Sequence, residues 1–103
     1  MAKTSMIVKL TTKPGLRGDL LAALDKMLLT VNEEEGTEIY AFNLDTTDEN
    51  AVWIYELYAD EAALATHSGS EAMGTLLTEV GDLLGDAPLM VLTTPVAGKG
   101  IGV

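Results

Sequence analysis

His67 is the one histidine in the chain, and it stands just before the break Ser68-Gly69-Ser70. Imidazole is the only side chain whose ordinary pKa suits proton transfer at neutral pH, so His67 is the first candidate for acid-base work. The plain alternative is an exposed or helix-capping histidine. Glu56 and Tyr58 fall on one face of a strand, beside the apolar Val52 and Ile54. A carboxylate in that setting must be hydrogen-bonded, reach water or have a raised pKa. Its structural alternative is pairing with a backbone amide or with a base such as Arg17 or Lys9. Tyr40, Phe42, Trp53 and Tyr55 supply nearly all the aromatic surface; on a central hairpin they build core or subunit interface, unless they form the wall of a ligand pocket. The acidic runs Glu33-Glu34-Glu35 and Asp45, Asp48, Glu49 lack the spacing of a calcium loop and read as solvated surface. Gly98-Lys99-Gly100 has neither the preceding glycine nor the following helix of a phosphate loop. Without cysteine the chain has no disulfide, no thiolate nucleophile and no cysteine-held metal. No metal site is expected.

The elements that must position these groups follow from periodicity. Met6, Ile7, Val8 and Leu10 form a short apolar run over residues 5–12, which Pro14-Gly15 turns. Leu16, Leu20, Leu24, Met27, Leu28 and Val31 then recur at helical spacing, and the helix is expected to stop before its three glutamates, which have the wrong sign for its C-terminal dipole. Residues 37–44 and 51–58 alternate as two strands of a hairpin. Asp60 is a candidate N-cap for a short helix ending near His67. A longer helix follows, with Met73, Leu76, Leu77, Val80, Leu83 and Leu84 on its apolar stripe and Gly85 as its stop. Gly74 and Gly81 within it each cost about 1 kcal/mol relative to alanine, or mark close packing. Leu89 to Thr93 reads as the last strand, and residues 95–103 as a glycine-containing tail, mobile unless held.

The order β-α-β-β-α-β predicts a single α+β domain over residues 1–103 with the ferredoxin-like arrangement, both helices on one face of an antiparallel sheet. Strands one, three and four are apolar on both faces, which one helical layer cannot cover. A second copy is the economical cover, so a sheet-to-sheet homodimer is expected. The formal charge of −10 repels polyphosphates and anionic lipid alike, which disfavours nucleic acid and membrane as partners. No apolar stretch is long enough to span a bilayer or to serve as a signal-peptide core, and the cytoplasm is the default location.

Pro14-Gly15, Glu34-Glu35-Gly36-Thr37 with Tyr40, Glu56-Leu57-Tyr58-Ala59-Asp60, Ala63, His67 and Pro95 form a pattern that resembles the antibiotic biosynthesis monooxygenase family, including its quinol monooxygenase members. The resemblance covers about the first ninety-five positions. It departs from the family at Glu35, where proline is usual, and at Tyr58, where tryptophan is frequent. It implies a dimeric α+β barrel that oxygenates a small aromatic phenol, anthrone or hydroquinone with dioxygen and without any cofactor. On that analogy His67 takes the substrate proton, Tyr58 hydrogen-bonds the substrate oxygen, Glu56 orients one of them, and Trp53 and Tyr40 bind the substrate. Other relatives of this scaffold isomerise or degrade a small phosphorylated signalling molecule, and a non-catalytic small-molecule-binding dimer is the remaining alternative. Haem-degrading relatives fit poorly, because Leu77 and Val8 fall where they carry a histidine and an asparagine.

Overall fold

A computed structural model describes residues 2–102; Met1 and Val103, the ends of the expected domain, lie outside the described residues. The element order is β1 (Thr4–Thr11), α1 (Arg17–Val31), β2 (Thr37–Leu44), β3 (Ala51–Tyr58), α2 (Glu61–Ser68), α3 (Glu71–Gly81) and β4 (Leu89–Thr93). The strands form one antiparallel sheet in the order β2-β3-β1-β4. This is the expected ferredoxin-like arrangement, with its second helical segment divided in two. Among the described residues no helix is long and apolar enough to cross a membrane.

Cross-strand register sorts the side chains by face. Val8 pairs with Ile54, which pairs with Phe42, and Met6 pairs with Glu56, which pairs with Tyr40. Paired residues point to the same side of a sheet, so these six share a face. The helices lie against that face: Leu20, Ala23, Leu24, Met27 and Val31 of α1, and Leu76 and Val80 of α3, join Met6, Val8, Leu10, Val52 and Ile54 in one core. Burying a Leu or Ile side chain stabilises by roughly 1.5–3 kcal/mol, so this layer dominates the domain's stability.

Local chemistry sets the turns and helix starts. Gly15 has φ 81°, a left-handed conformation that suits glycine, and its amide donates to Asn50 Oδ1 at 3.1 Å. Helix α1 ends at Val31, before the glutamates, as the dipole argument requires. The Asp60 carboxylate caps α2 by accepting from the Ala63 amide at 2.8 Å. Ser70 does the same for α3 through the Met73 amide, and its hydroxyl also donates to the His67 carbonyl at 2.9 Å. Gly74 and Gly81 have open space where a Cβ would stand, so close packing does not explain them.

Helix α3 is shorter than its apolar stripe. It stops at Gly81 because the next residues bond to the end of β1 instead: the Leu83 carbonyl accepts from the Lys13 amide at 2.8 Å, and the Gly85 amide donates to the Thr11 carbonyl at 2.9 Å. Leu83 and Leu84 still pack on the core, but from this connection and not from a helix.

The uncovered apolar surface is narrower than strand alternation suggests. On the face away from the helices, Ala51 and Leu57 are already buried within the single subunit. Exposure concentrates on the edge strand β4: Leu89, Val91 and the neighbouring Ile7 are open on this face, while Met90 and Leu92, which pair with Val8 and Met6 on the helix-bearing face, are 62% and 63% exposed.

Gly36 controls how closely α2 approaches β2. A Cβ there would lie 2.5 Å from the Ala63 Cβ. Gly36→Ala is therefore expected to push α2 outward and cost about 1–3 kcal/mol, read as a lower urea midpoint. Gly74→Ala, in open space, should instead raise the midpoint by the equivalent of about 0.5–1 kcal/mol.

Candidate functional site

Three elements bring the titratable groups together. His67 lies in the last turn of α2 and is only 1% exposed. Its ring is held between two phenols, with centroids 5.1 Å from Tyr40 on β2 and 5.4 Å from Tyr58 on β3. The loop between α1 and β2 supplies Glu34, whose Oε1 lies 2.9 Å from His67 Nδ1 and accepts from Thr37 Oγ1 at 2.9 Å. Glu56 reaches in from β3. Its Oε1 accepts a hydrogen bond from the Tyr58 hydroxyl and lies 3.9 Å from His67 Nε2.

The two ring nitrogens are in different situations. A carboxylate facing Nδ1 favours the tautomer with the proton there, donated to Glu34, which leaves a lone pair on Nε2. At 3.9 Å the Nε2 contact to Glu56 is too long for a hydrogen bond. Among the described residues Nε2 is the one buried side-chain nitrogen or oxygen without a hydrogen-bond partner. Leaving such a group unpaired costs about 1–3 kcal/mol, which makes it a candidate for work the resting fold does not use.

Burial sets the protonation of the neighbours. It pushes the Glu56 carboxyl above its ordinary value, while the Tyr58 hydrogen bond and the His67 charge pull the other way. Burial also raises the Tyr58 phenol, reinforced by its bond to Glu56, and raises the Tyr40 phenol, reinforced by the Glu56 and Glu34 charges. Both phenols remain protonated donors at neutral pH.

An apolar cavity of about 90 Å³ lies between the helices and the sheet, next to this cluster. Its walls include Leu24, Ile54, Met73, Leu76 and Met90, and the only polar side chains lining it are Tyr40 and Glu56. His67 lies one layer behind them. A larger open hollow of about 500 Å³ runs between α1 and α3 on the outer surface, where Lys26 and Glu79 pair at 3.2 Å. None of the titratable cluster lines it, so the smaller cavity is where acid-base chemistry could meet a ligand.

Of the residues singled out in the sequence, Glu56, Tyr58, His67 and Tyr40 come together. Trp53 does not: register places it on the other face of the sheet, opposite Lys9 and Asn43. There its indole donates to Asp45 Oδ2 at 2.8 Å, with Lys9 Nζ 5.3 Å from the ring centre. The indole bond, together with amide bonds from Thr47 and Asp48, holds the Asp45 carboxyl well below the usual range. The proposed structural partners of Glu56 are also occupied elsewhere, since Arg17 donates to the carbonyls of Asp45, Asp48 and Ala51. Tyr58 gives its hydroxyl to Glu56 and does not line the cavity. Glu34 is the residue that composition reasoning missed: it belongs to an acidic run read as solvated surface, yet its side chain is 12% exposed and faces the histidine. Its place in the Glu34-Glu35-Gly36-Thr37 motif was the available signal.

A cluster of titratable side chains thus stands at the end of an apolar cavity on a ferredoxin-like sheet. The chain belongs to the antibiotic biosynthesis monooxygenase family, whose model matches residues 4–78. Several solved structures share the fold. A protein of Mycobacterium tuberculosis is 24% identical, with 94% of this chain and 98% of that one covered and a TM-score of 0.87. A candidate antibiotic biosynthesis monooxygenase of Caulobacter crescentus is 21% identical, over 93% and 92%, with a TM-score of 0.89. A protein of unknown function from Nitrosomonas europaea is 25% identical, over 100% and 98%, with a TM-score of 0.83. No curated relative matches the chain.

The raised Glu56 carboxyl has a consequence for stability. Its native value lies above the ordinary 4.5, so between those two values the native state holds more protons than the unfolded one. The contribution of Glu56 to stability is therefore present below about 4.5 and is lost as pH rises through the native value. Glu56→Gln, which cannot ionise, should melt higher than the parent at pH 7, and thermal melts from pH 4 to 8 should show this advantage shrinking toward acid.

Proposed function

We propose that the chain is a cofactor-independent monooxygenase that oxidises a small electron-rich aromatic, a phenol, anthrone or hydroquinone, with dioxygen. The observation that carries this reading is the cavity itself: its walls are apolar, and its polar edge opens on Glu56 and, behind it, Tyr58 and His67. Membership of the family supports it.

Removing a proton from such a substrate makes it a reductant strong enough to pass electrons to dioxygen. For an anthrone the methylene carbon becomes a carbonyl and the second oxygen atom leaves as water, so substrate and dioxygen alone balance the reaction. The protein must then supply a base, a dry pocket and donors for the anion. Glu56, His67 and Tyr58 form the proton-handling set, and Tyr40 is the donor lining the cavity. At about 90 Å³ the cavity is well below the ~300–1,000 Å³ typical of ligand pockets, so substrate entry requires it to widen. Met73 and Met90 are the adaptable side chains in its wall. No Lys or Arg lines the cavity, which speaks against a phosphorylated signalling molecule as substrate.

The working form in this reading is a homodimer. Proteins of this family generally form dimers, and the apolar edge around β4 is the surface in need of cover. Sedimentation should give twice the chain mass at micromolar concentration, and Val91→Glu should shift it toward monomer.

Oxygen uptake by the metal-stripped protein with an anthrone or menadiol-type substrate tests the activity. Uptake should exceed uncatalysed autoxidation, and His67→Ala should reduce the enzymatic excess about 100-fold. Uptake no faster than autoxidation would remove the oxygenase assignment.

A further inference from the structure

The positions of the cavity wall and of the unpaired imidazole nitrogen carry a more specific assignment, which rests on the oxygenase reading for its substrate and on geometry for the rest. We propose that Glu56 takes the proton from the substrate and passes it to His67 Nε2, and that Glu34 is the positioning residue that keeps this nitrogen free to receive it.

Three observations support the order. Glu56 lines the cavity, whereas His67 does not, so a ligand there meets the carboxylate first. Behind the carboxylate, Nε2 is buried, has no partner and lies 3.9 Å from Glu56 Oε1. A rotation of either side chain closing that gap by about 1 Å brings the pair to hydrogen-bonding distance. On the far side of the ring, Nδ1 is occupied by Glu34, whose carboxylate is itself fixed by Thr37 Oγ1.

The proton balance is simple. The substrate O–H or acidic C–H bond breaks and a Glu56 O–H bond forms. That bond breaks in turn as Nε2–H forms, so Glu56 returns to carboxylate and the ring becomes imidazolium. The new charge is compensated by Glu34 within the buried site, where an uncompensated cation would be costly. The same proton is available when the second oxygen atom departs as water, so the ring acts as a store beside a dry cavity.

The titratable groups facing His67 are Glu34 from the α1–β2 loop, Tyr40 from β2, and Glu56 and Tyr58 from β3. Only Glu34 touches Nδ1, and Glu34 does not line the cavity. Its replacement should therefore affect the ring and the rate, not substrate binding. A carboxylate that orients a histidine in this way appears in hydrolytic triads, where its loss leaves the wrong tautomer.

Because His67 is the sole histidine, nitrogen-15 NMR of histidine-labelled protein reads its tautomer without ambiguity. The neutral ring should carry its proton on Nδ1 in the parent protein. In Glu34→Gln, whose amide can donate to Nδ1 as well as accept from it, the population should shift toward Nε2–H. With an anthrone substrate, Glu34→Gln should lower kcat about 100-fold, leave KM within about twofold, and increase the solvent isotope effect on kcat. A parent ring protonated on Nε2 overturns the proposal, as does a Glu34→Gln protein with unchanged tautomer and kcat. The NMR measurement needs no turnover, so a protein that consumes no oxygen yet shows the Nδ1–H ring refutes the oxygenase reading and not the positioning of His67 by Glu34.

Discussion

A buried imidazole bonded on one side and free on the other is the constraint around which this domain is arranged. His67 is almost fully enclosed, and an enclosed polar ring must find partners or lower the stability of the fold. One nitrogen finds Glu34, while the other faces Glu56 across a gap too long for a hydrogen bond. The surrounding layers keep it there. Tyr40 and Tyr58 flank the ring from adjacent strands, the short helix α2 delivers it, and the close approach of Gly36 to Ala63 sets how near that helix lies. The helix-facing core stabilises the domain enough to tolerate one unpaired nitrogen and one desolvated carboxylate, both of which a fold selected for stability alone would have replaced.

Much of this arrangement was legible because it obeys local rules. Strand alternation placed Glu56 and Tyr58 on one face with Val52 and Ile54, and the hairpin register bears this out. Asp60 read as an N-cap because its side chain satisfies an amide three residues on, a contact that needs no tertiary information. The same alternation set Trp53 against Glu56 and Tyr58, so the sheet separates it from the cavity; the family analogy that placed it there conflicts with the pleat of its own strand.

What could not be read depends on distant parts of the chain. Glu34 lies between the exposed Glu33 and Glu35 in a loop, where no periodicity distinguishes an inward side chain from a solvated one. The early end of α3 reflects bonds to Thr11 and Lys13, some seventy residues upstream, which outcompete continuation of a helix whose own pattern is apolar through Leu84. The exposed apolar surface is narrower than alternation implied because Ala51 and Leu57 are already covered within one subunit, leaving the edge strand as the open part.

Ser70 joins two of these features. Its hydroxyl caps α3, which forms much of the cavity wall, and donates to the backbone carbonyl of His67. The first turn of α3 and the backbone at the end of α2 are therefore held by the same side chain. One hydroxyl oxygen thus ties the helix that lines the cavity to the backbone that carries the buried imidazole.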